Sequence, residues 1–240
     1  AQTRDALRAA GAEALCVALV EEGLELREAG VSVPVLVMSG VYRGGVAEAL
    51  DAGLTPVVHD PSQLEELARW SGAGDHVARV HLKVDTGMAR VGITPSELAS
   101  VCERLARMPH VDVDGLMTHF ACADEDDPSF THTQLGRFPE ARAMVERAGL
   151  NPRVFHAANS AGALRFPSAR FDAVRTGITL YGIAPFAHGG PALLPALRLR
   201  TEVIALLEVP AGTPVGYGGA YVTARRSVLG LVLSPTRELA

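Results

Sequence analysis

The chain has 240 residues, 48% of them apolar, with 24 glycines and a net charge of −5, enough to bury the core of one large domain or of one domain plus a piece of another. No basic cluster stands against that acidic balance, so nucleic acid is not an expected partner, and neither a membrane-length apolar run nor a signal-like opening segment is present, so no membrane association is expected. The three cysteines, Cys16, Cys102 and Cys122, are odd in number and lack any C-x-x-C spacing, which argues against a disulfide framework or a Cys-type zinc site and predicts a cytoplasmic location with each thiol a small buried apolar residue.

The chain starts at Ala1 rather than Met, from which an N-terminus further upstream is expected. Residues 2–10 read as a helix with no strand before it. Strand-like runs follow at 15–20, 33–38, 55–59, 77–83, 113–118, 153–157 and 173–176. Amphipathic helical runs lie at 21–29, 46–52, 61–70, 95–108, 131–148 and 160–165. Asp60-Pro61 and Thr94-Pro95 each place a capping residue before a proline at the first helical position. The pairs Ala29-Gly30, Ala52-Gly53 and Ala148-Gly149 supply the stops. Strands alternating with helices predict βα units and a parallel sheet. Seven strands where a closed barrel needs eight predict a (β/α)8 TIM-type barrel lacking its first strand. An open doubly wound sheet ranks second, because no Gly-rich phosphate turn follows an early strand.

Beyond about Pro191 the texture changes. Residues 198–209 alternate polar and apolar side chains, and turn sequences follow at 210–213 and 216–219. This predicts the start of a C-terminal all-β domain of antiparallel strands. The expected division is a barrel over residues 1–192 and the beginning of the β-domain over 193–240.

Residues at the C-terminal ends of barrel strands face the site. Here they are His59, Lys83 with Arg90, residues 117–119, residues 156–160 and residues 175–178. Lys83 and Arg90 are two cations that repel unless an anion lies between them: a cofactor oxygen, a substrate or a modified lysine. Gly177 lets backbone amides approach a phosphate, and Asn159-Ser160 sits at a strand–helix junction that suits one. Each residue alone also has a plain structural reading: Ser160 an N-cap, Gly177 a turn, His119 a satisfied structural histidine, Tyr217 a β-turn aromatic. A competing reading takes Lys83, carbamylated, with His119 and His156 as ligands of two zinc ions in a hydrolase barrel. Arg175 opposes it, since a cation stands where a carboxylate ligand is wanted.

Five segments carry a resemblance to the alanine racemases, enzymes of pyridoxal 5'-phosphate (PLP). They are Leu82-Lys-Val-Asp-Thr-Gly-Met-Ala-Arg-Val-Gly92, Gly115-Leu-Met-Thr-His-Phe-Ala121, His156-Ala-Ala-Asn-Ser160, Val174-Arg-Thr-Gly-Ile-Thr-Leu-Tyr-Gly182 and Val215-Gly-Tyr-Gly-Gly-Ala-Tyr221. They occur in the family's order and cover roughly residues 13–233. The resemblance implies a homodimer in which Tyr217 is a catalytic base acting on the partner subunit's site. It implies that Lys83 is carbamylated and holds Arg90, that Arg90 meets the PLP phenolic oxygen, and that Arg175 faces the pyridine nitrogen. A guanidinium there keeps its proton and leaves the ring a weaker electron sink. His119 is implied beside the cofactor, and Asn159, Ser160, Gly177 and Ile178 around its phosphate. The implied reaction is interconversion of L- and D-alanine by two bases, supplying D-alanine for peptidoglycan.

The family's second base is a lysine that forms a Schiff base with PLP after the first barrel strand. Lys83 is the sole lysine of this chain and belongs to a different motif. The segment 234–240 also departs from the family pattern. The chain is therefore expected to be a fragment truncated at both ends and inactive alone. A non-catalytic PLP-binding barrel is the other alternative. Alanine, serine and larger substrates are not distinguished by these residues.

Overall fold

A computed structural model of the chain describes residues 2–39, 41, 45–72, 77–196 and 201–232. It divides into two compact units, Ala1–Leu194 and Pro195–Ala240.

The first unit opens on helix α1 (Gln2–Ala9). Strands β1 (Leu15–Val17), β2 (Val35–Val37), β3 (Thr55–Val58), β4 (Ala78–Lys83), β5 (Val111–Met117) and β6 (Val154–His156) then alternate with helices α2 (Val20–Glu28), α3 (Gly45–Asp51), α4 (Gln63–Ser71), α5 (Pro95–Ala106) and α6 (Ser129–Arg147). Helix α7 (Ser160–Arg165) follows. The strands pair in chain order, β1-β2-β3-β4-β5-β6, and every pairing in this sheet is parallel. A doubly wound sheet would reverse its order at a switch point. Uninterrupted order is the winding of a barrel wall.

The helix ends follow local chemistry. At α5, Thr94 precedes Pro95, and the Glu97 carboxylate accepts from the Thr94 amide at 3.2 Å and from its hydroxyl at 2.6 Å. Gly30, Gly53 and Gly149 all sit at positive φ just past helix ends, where a Cβ would be strained. Arg27 donates to the carbonyls of Val31, Val33, Ala52 and Gly53. It thereby pins the corners that follow α2 and α3.

On β4, Ala78, Val80 and Leu82 pack into the apolar layer formed with Leu98, Val101 and Leu105 of α5 and with Phe138 and Val145 of α6. Strand alternation sends the intervening residues to the opposite, inner face. That places His81 and Lys83 inside the curved sheet, 6% and 4% exposed.

Three expectations need correction. Residues 173–176 form no strand. Beside β6, Asp172 N donates to Phe155 O, and beyond its end Arg175 N donates to Ala158 O, while the Asp172 carboxylate, not a backbone carbonyl, accepts from Phe155 N. Helix α4 begins at Gln63, because Asp60 Oδ1 accepts from both the amide and the hydroxyl of Ser62 and holds Pro61-Ser62 in a turn. Of the cysteines, Cys102 is buried as expected, whereas Cys16 is exposed and Cys122 intermediate.

The second unit contains an antiparallel pair, β7 (Val203–Val209) with β10 (Ser227–Val232), and a short pair, β8 (Pro214–Val215) with β9 (Tyr221–Val222). A 3-10 turn, Tyr217–Gly219, lies between β8 and β9. Gly216 and Gly218 take φ of 71° and 77° on either side of Tyr217. Residues 198–200 of the expected alternating segment, and the segment 234–240, lie outside the described residues.

Candidate active site

Lys83 ends β4 on the inner face. Burial first, then the charges of Arg90 and Arg175, lowers its pKa to about 8, against a smaller opposing effect of Asp85. Asp85 is spent elsewhere: its Oδ1 accepts from the amides of Gly87 at 2.8 Å and Met88 at 2.7 Å, which bends the chain after β4. The loop closes at its neck through Ile93 N to Lys83 O and Asp85 N to Ile93 O. Gly92 makes that closure possible, since at its φ of 147° a Cβ would stand 2.8 Å from Asp85 N. Arg90 is exposed on this loop. The charge of Arg90 thus reaches Lys83, and the Asp85 carboxylate that opposes it is engaged by backbone.

Arg175 lies at the centre of the second group. Its Nη2 donates to Thr118 O at 2.7 Å and Ala157 O at 3.0 Å and lies 3.2 Å from His119 Nδ1. Its Nη1 lies 2.7 Å from His156 Nδ1. Its Nε is buried with no partner among the described residues. Burial lowers the guanidinium to about 10, which leaves it a cation at neutral pH. His119 is driven down to about 3 by burial, then by Arg175, Lys83 and Arg90. Burial and Arg175 also push His156 well below the usual histidine range. Both rings are therefore neutral around a fixed positive charge.

Thr86, Thr118 and Gln134 tie these groups together. The two threonine hydroxyls meet at 2.8 Å. Gln134, fully buried on α6, donates to Thr86 Oγ1 and to His119 O and accepts from Ala121 N. The Arg90 loop and the strand end bearing His119 are thus clamped to one helix.

At the head of α7 the cap is Asn159, not Ser160. Asn159 Oδ1 accepts from Gly162 N at 2.9 Å and its Nδ2 donates to Phe120 O at 3.3 Å. Ser160 is 5% exposed, and its Oγ accepts from Gly177 N at 3.0 Å and Thr179 Oγ1 at 3.1 Å. Both bonds use lone pairs, so the Ser160 hydroxyl proton is left to donate. A Cβ added at Gly177 would meet nothing within 4 Å, and Ile178 is exposed beside it.

The first unit therefore brings Lys83, His119, Arg175 and His156 into one electrostatic group, with Arg90 close enough to act on Lys83 and His119, and joins Ser160 to Gly177. Tyr217 belongs to the second unit, in its glycine-flanked turn. The residues missed at the sequence level are His81, Gly115, Thr86 and Gln134. The signal for His81 was its place two residues before Lys83, on the same strand face. The di-zinc alternative is disfavoured, because both ring nitrogens of His156 are taken, by Arg175 and by His81.

Comparison with known proteins bears on this arrangement. Residues 1–185 match the family model described as alanine racemase, N-terminal domain. The chain is 47% identical over 232 residues to an alanine racemase of Sorangium cellulosum, covering 94% of this chain and 61% of that protein. It is 43% identical over 219 residues to one of Symbiobacterium thermophilum, covering 90% and 58%. Among solved structures, the alanine racemase from D-cycloserine-producing Streptomyces lavendulae superposes with a TM-score of 0.84 at 35% identity, covering 95% of this chain and 61% of that one. That from E. faecalis gives 0.80 at 38%, covering 95% and 62%. The chain spans about 60% of the length of the relatives it matches.

Proposed function

The chain belongs to the alanine racemase family, and from that premise we propose that the protein carrying it interconverts L- and D-alanine with PLP, as a cytoplasmic homodimer whose D-alanine serves peptidoglycan precursors. One observation carries the reading. The charges of Arg90 and Arg175 both reach Lys83, and burial with those cations holds the histidines beside them neutral. Such a site is built to receive anionic oxygens and to keep its own charge fixed.

The residues fit PLP on two counts. Arg175 has a buried Nε without a partner among the described residues, and Ser160 has a hydroxyl proton free to donate beside the open space at Gly177. Ser160, Gly177 and Ile178 would surround the phosphate, with Asn159 shaping their corner. Arg90 would meet the phenolic oxygen, His119 would lie beside the ring, and Arg175 would face the pyridine nitrogen. Bound there, PLP would supply an acceptor for the electron pair left when a proton leaves the alanine Cα.

The chain's own residues then set the course. With its pKa near 10, Arg175 hydrogen-bonds without giving up its proton, which favours return of the proton to Cα over other outcomes. A carbamate on Lys83 would replace a repelling cation by an anion that holds Arg90. Its depressed pKa leaves a large fraction of the amine neutral near pH 8, the form that reacts with carbon dioxide. Tyr217 Oη would take or return the Cα proton on one face of alanine, in the partner subunit's barrel. The opposite base in the family is a lysine with no counterpart among these 240 residues, whose sole lysine is Lys83. The test is a chiral assay of alanine, with PLP present, on the longer protein that the proposal takes to carry this chain: both enantiomers should converge on an equal mixture, and Tyr217→Phe should slow this by roughly 100-fold or more.

A further inference from the structure

On the inner face of β4, His81 does more than fill space. Its Nδ1 lies 2.8 Å from His156 Nε2, and His156 Nδ1 lies 2.7 Å from Arg175 Nη1. Proton placement along this line is forced. A guanidinium nitrogen only donates, so His156 Nδ1 must accept. Neutral imidazole carries one proton, which must then sit on His156 Nε2 and be donated to His81 Nδ1. His81 in turn must be protonated on Nε2. We propose that His81 is a positioning residue: by accepting from His156 Nε2 it locks the tautomer whose Nδ1 accepts from Arg175, and so fixes the direction of that guanidinium at the cofactor. The inference rests on the alanine racemase reading for the consequence, but not for the geometry.

The backbone makes room for this ring specifically. Between β4 and β5 the register shifts: Val80 pairs with Val113 and His81 with Gly115, and Asp114 is passed over. Such an extra residue re-aims side chains locally. The residue it sets opposite His81 has no side chain. A Cβ on Gly115 would stand 2.4 Å from His81 Nδ1 and 2.5 Å from its Cε1. Gly115 is not among the glycines of positive φ, so conformation does not require it; the imidazole does. The two histidine rings meet edge to face, 5.0 Å between centroids, at 6% and 2% exposure. Burial holds His81 at about 4 and His156 well below its usual range, so the neutral forms the bonds demand are those present at neutral pH.

The experiment is long-range proton–nitrogen NMR on histidine-labelled protein, which reads the His156 tautomer with or without PLP. In the unsubstituted protein the proton is expected on Nε2. In His81→Leu, which keeps bulk and removes the acceptor, the buried His156 Nε2–H loses its partner, so the Nε2-protonated population should fall as the ring gives up its bond from Arg175. His81→Gln, whose amide oxygen can accept, should restore it. In parallel, kcat for alanine should drop on the order of tenfold in His81→Leu, with KM within about twofold, and recover in His81→Gln. A His156 proton on Nδ1 in the unsubstituted protein overturns the proposal without any variant having to fold. An unchanged kcat in a folded His81→Leu protein overturns it too. Failure of the racemase reading looks different: the unsubstituted protein would leave the alanine enantiomers unchanged while the tautomer result stood.

Discussion

Ser160 shows how a single hydroxyl can be committed by its neighbours. Gly177 N and Thr179 Oγ1 both donate to it, so its proton has one remaining use, donation outward. If that proton meets the PLP phosphate, Ser160→Ala should weaken PLP binding tenfold or more, since a bond to a charged group contributes roughly 1.5–3 kcal/mol. A spectroscopic PLP titration checks this, and an unchanged Kd would move the phosphate elsewhere. At Lys83, labelled bicarbonate should give a carbamate carbon resonance that Lys83→Arg abolishes. Its absence from the unsubstituted protein would remove the proposed anion beside Arg90. Lys83, His119 and Arg175 were legible in the sequence because ends of strands, or of strand-like runs, in a βα pattern point to one face. His81 was not, because a histidine inside a buried strand reads as packing, and its partner lies 75 residues away.

Elements were legible where composition and capping agree. Thr94-Pro95 marked the start of α5, and Thr94→Ala should lower stability by about 1 kcal/mol in a denaturant titration. An effect near zero would mean that Pro95 alone sets that boundary. The expected seventh strand failed for a local reason. Its Ala-Val-Arg-Thr composition suits a strand, but Phe171 takes φ of 43° just before it, and Asp172 uses its side chain where a strand would use backbone. Arg175 still reaches the site, because one bond from its amide to Ala158 O anchors it. The expected start of α4 failed similarly, since a short-range aspartate turn outcompeted a proline signal. The shifted register opposite His81 was invisible, because register depends on both strands at once.

At the scale of the whole molecule, the neutral histidines make stability depend on acid. His81 is held near 4 and His119 near 3, both below the ordinary 6.5. An unfolded chain takes up these protons as pH drops through 6.5, whereas the folded one refuses them until about 4 and 3. Stability from this source is therefore constant above 6.5 and declines below it, by up to about 1.4 kcal/mol per pH unit for each histidine. Denaturation midpoints at pH 7.5 and 5 test the sign; equal midpoints would mean that these rings are protonated in the folded state. Alternation made the parallel sheet predictable, and its consecutive order is what separates a barrel wall from a doubly wound sheet, while the proposed reaction would draw on Tyr217 and on a second base, a lysine with no counterpart among these 240 residues. The most direct measurement is accordingly the reaction. Protein carrying this chain, saturated with PLP and given pure L-alanine or pure D-alanine, should bring either to an equal mixture by chiral chromatography. Enantiomeric purity that persists from both directions, in protein shown spectroscopically to hold PLP, would contradict the account.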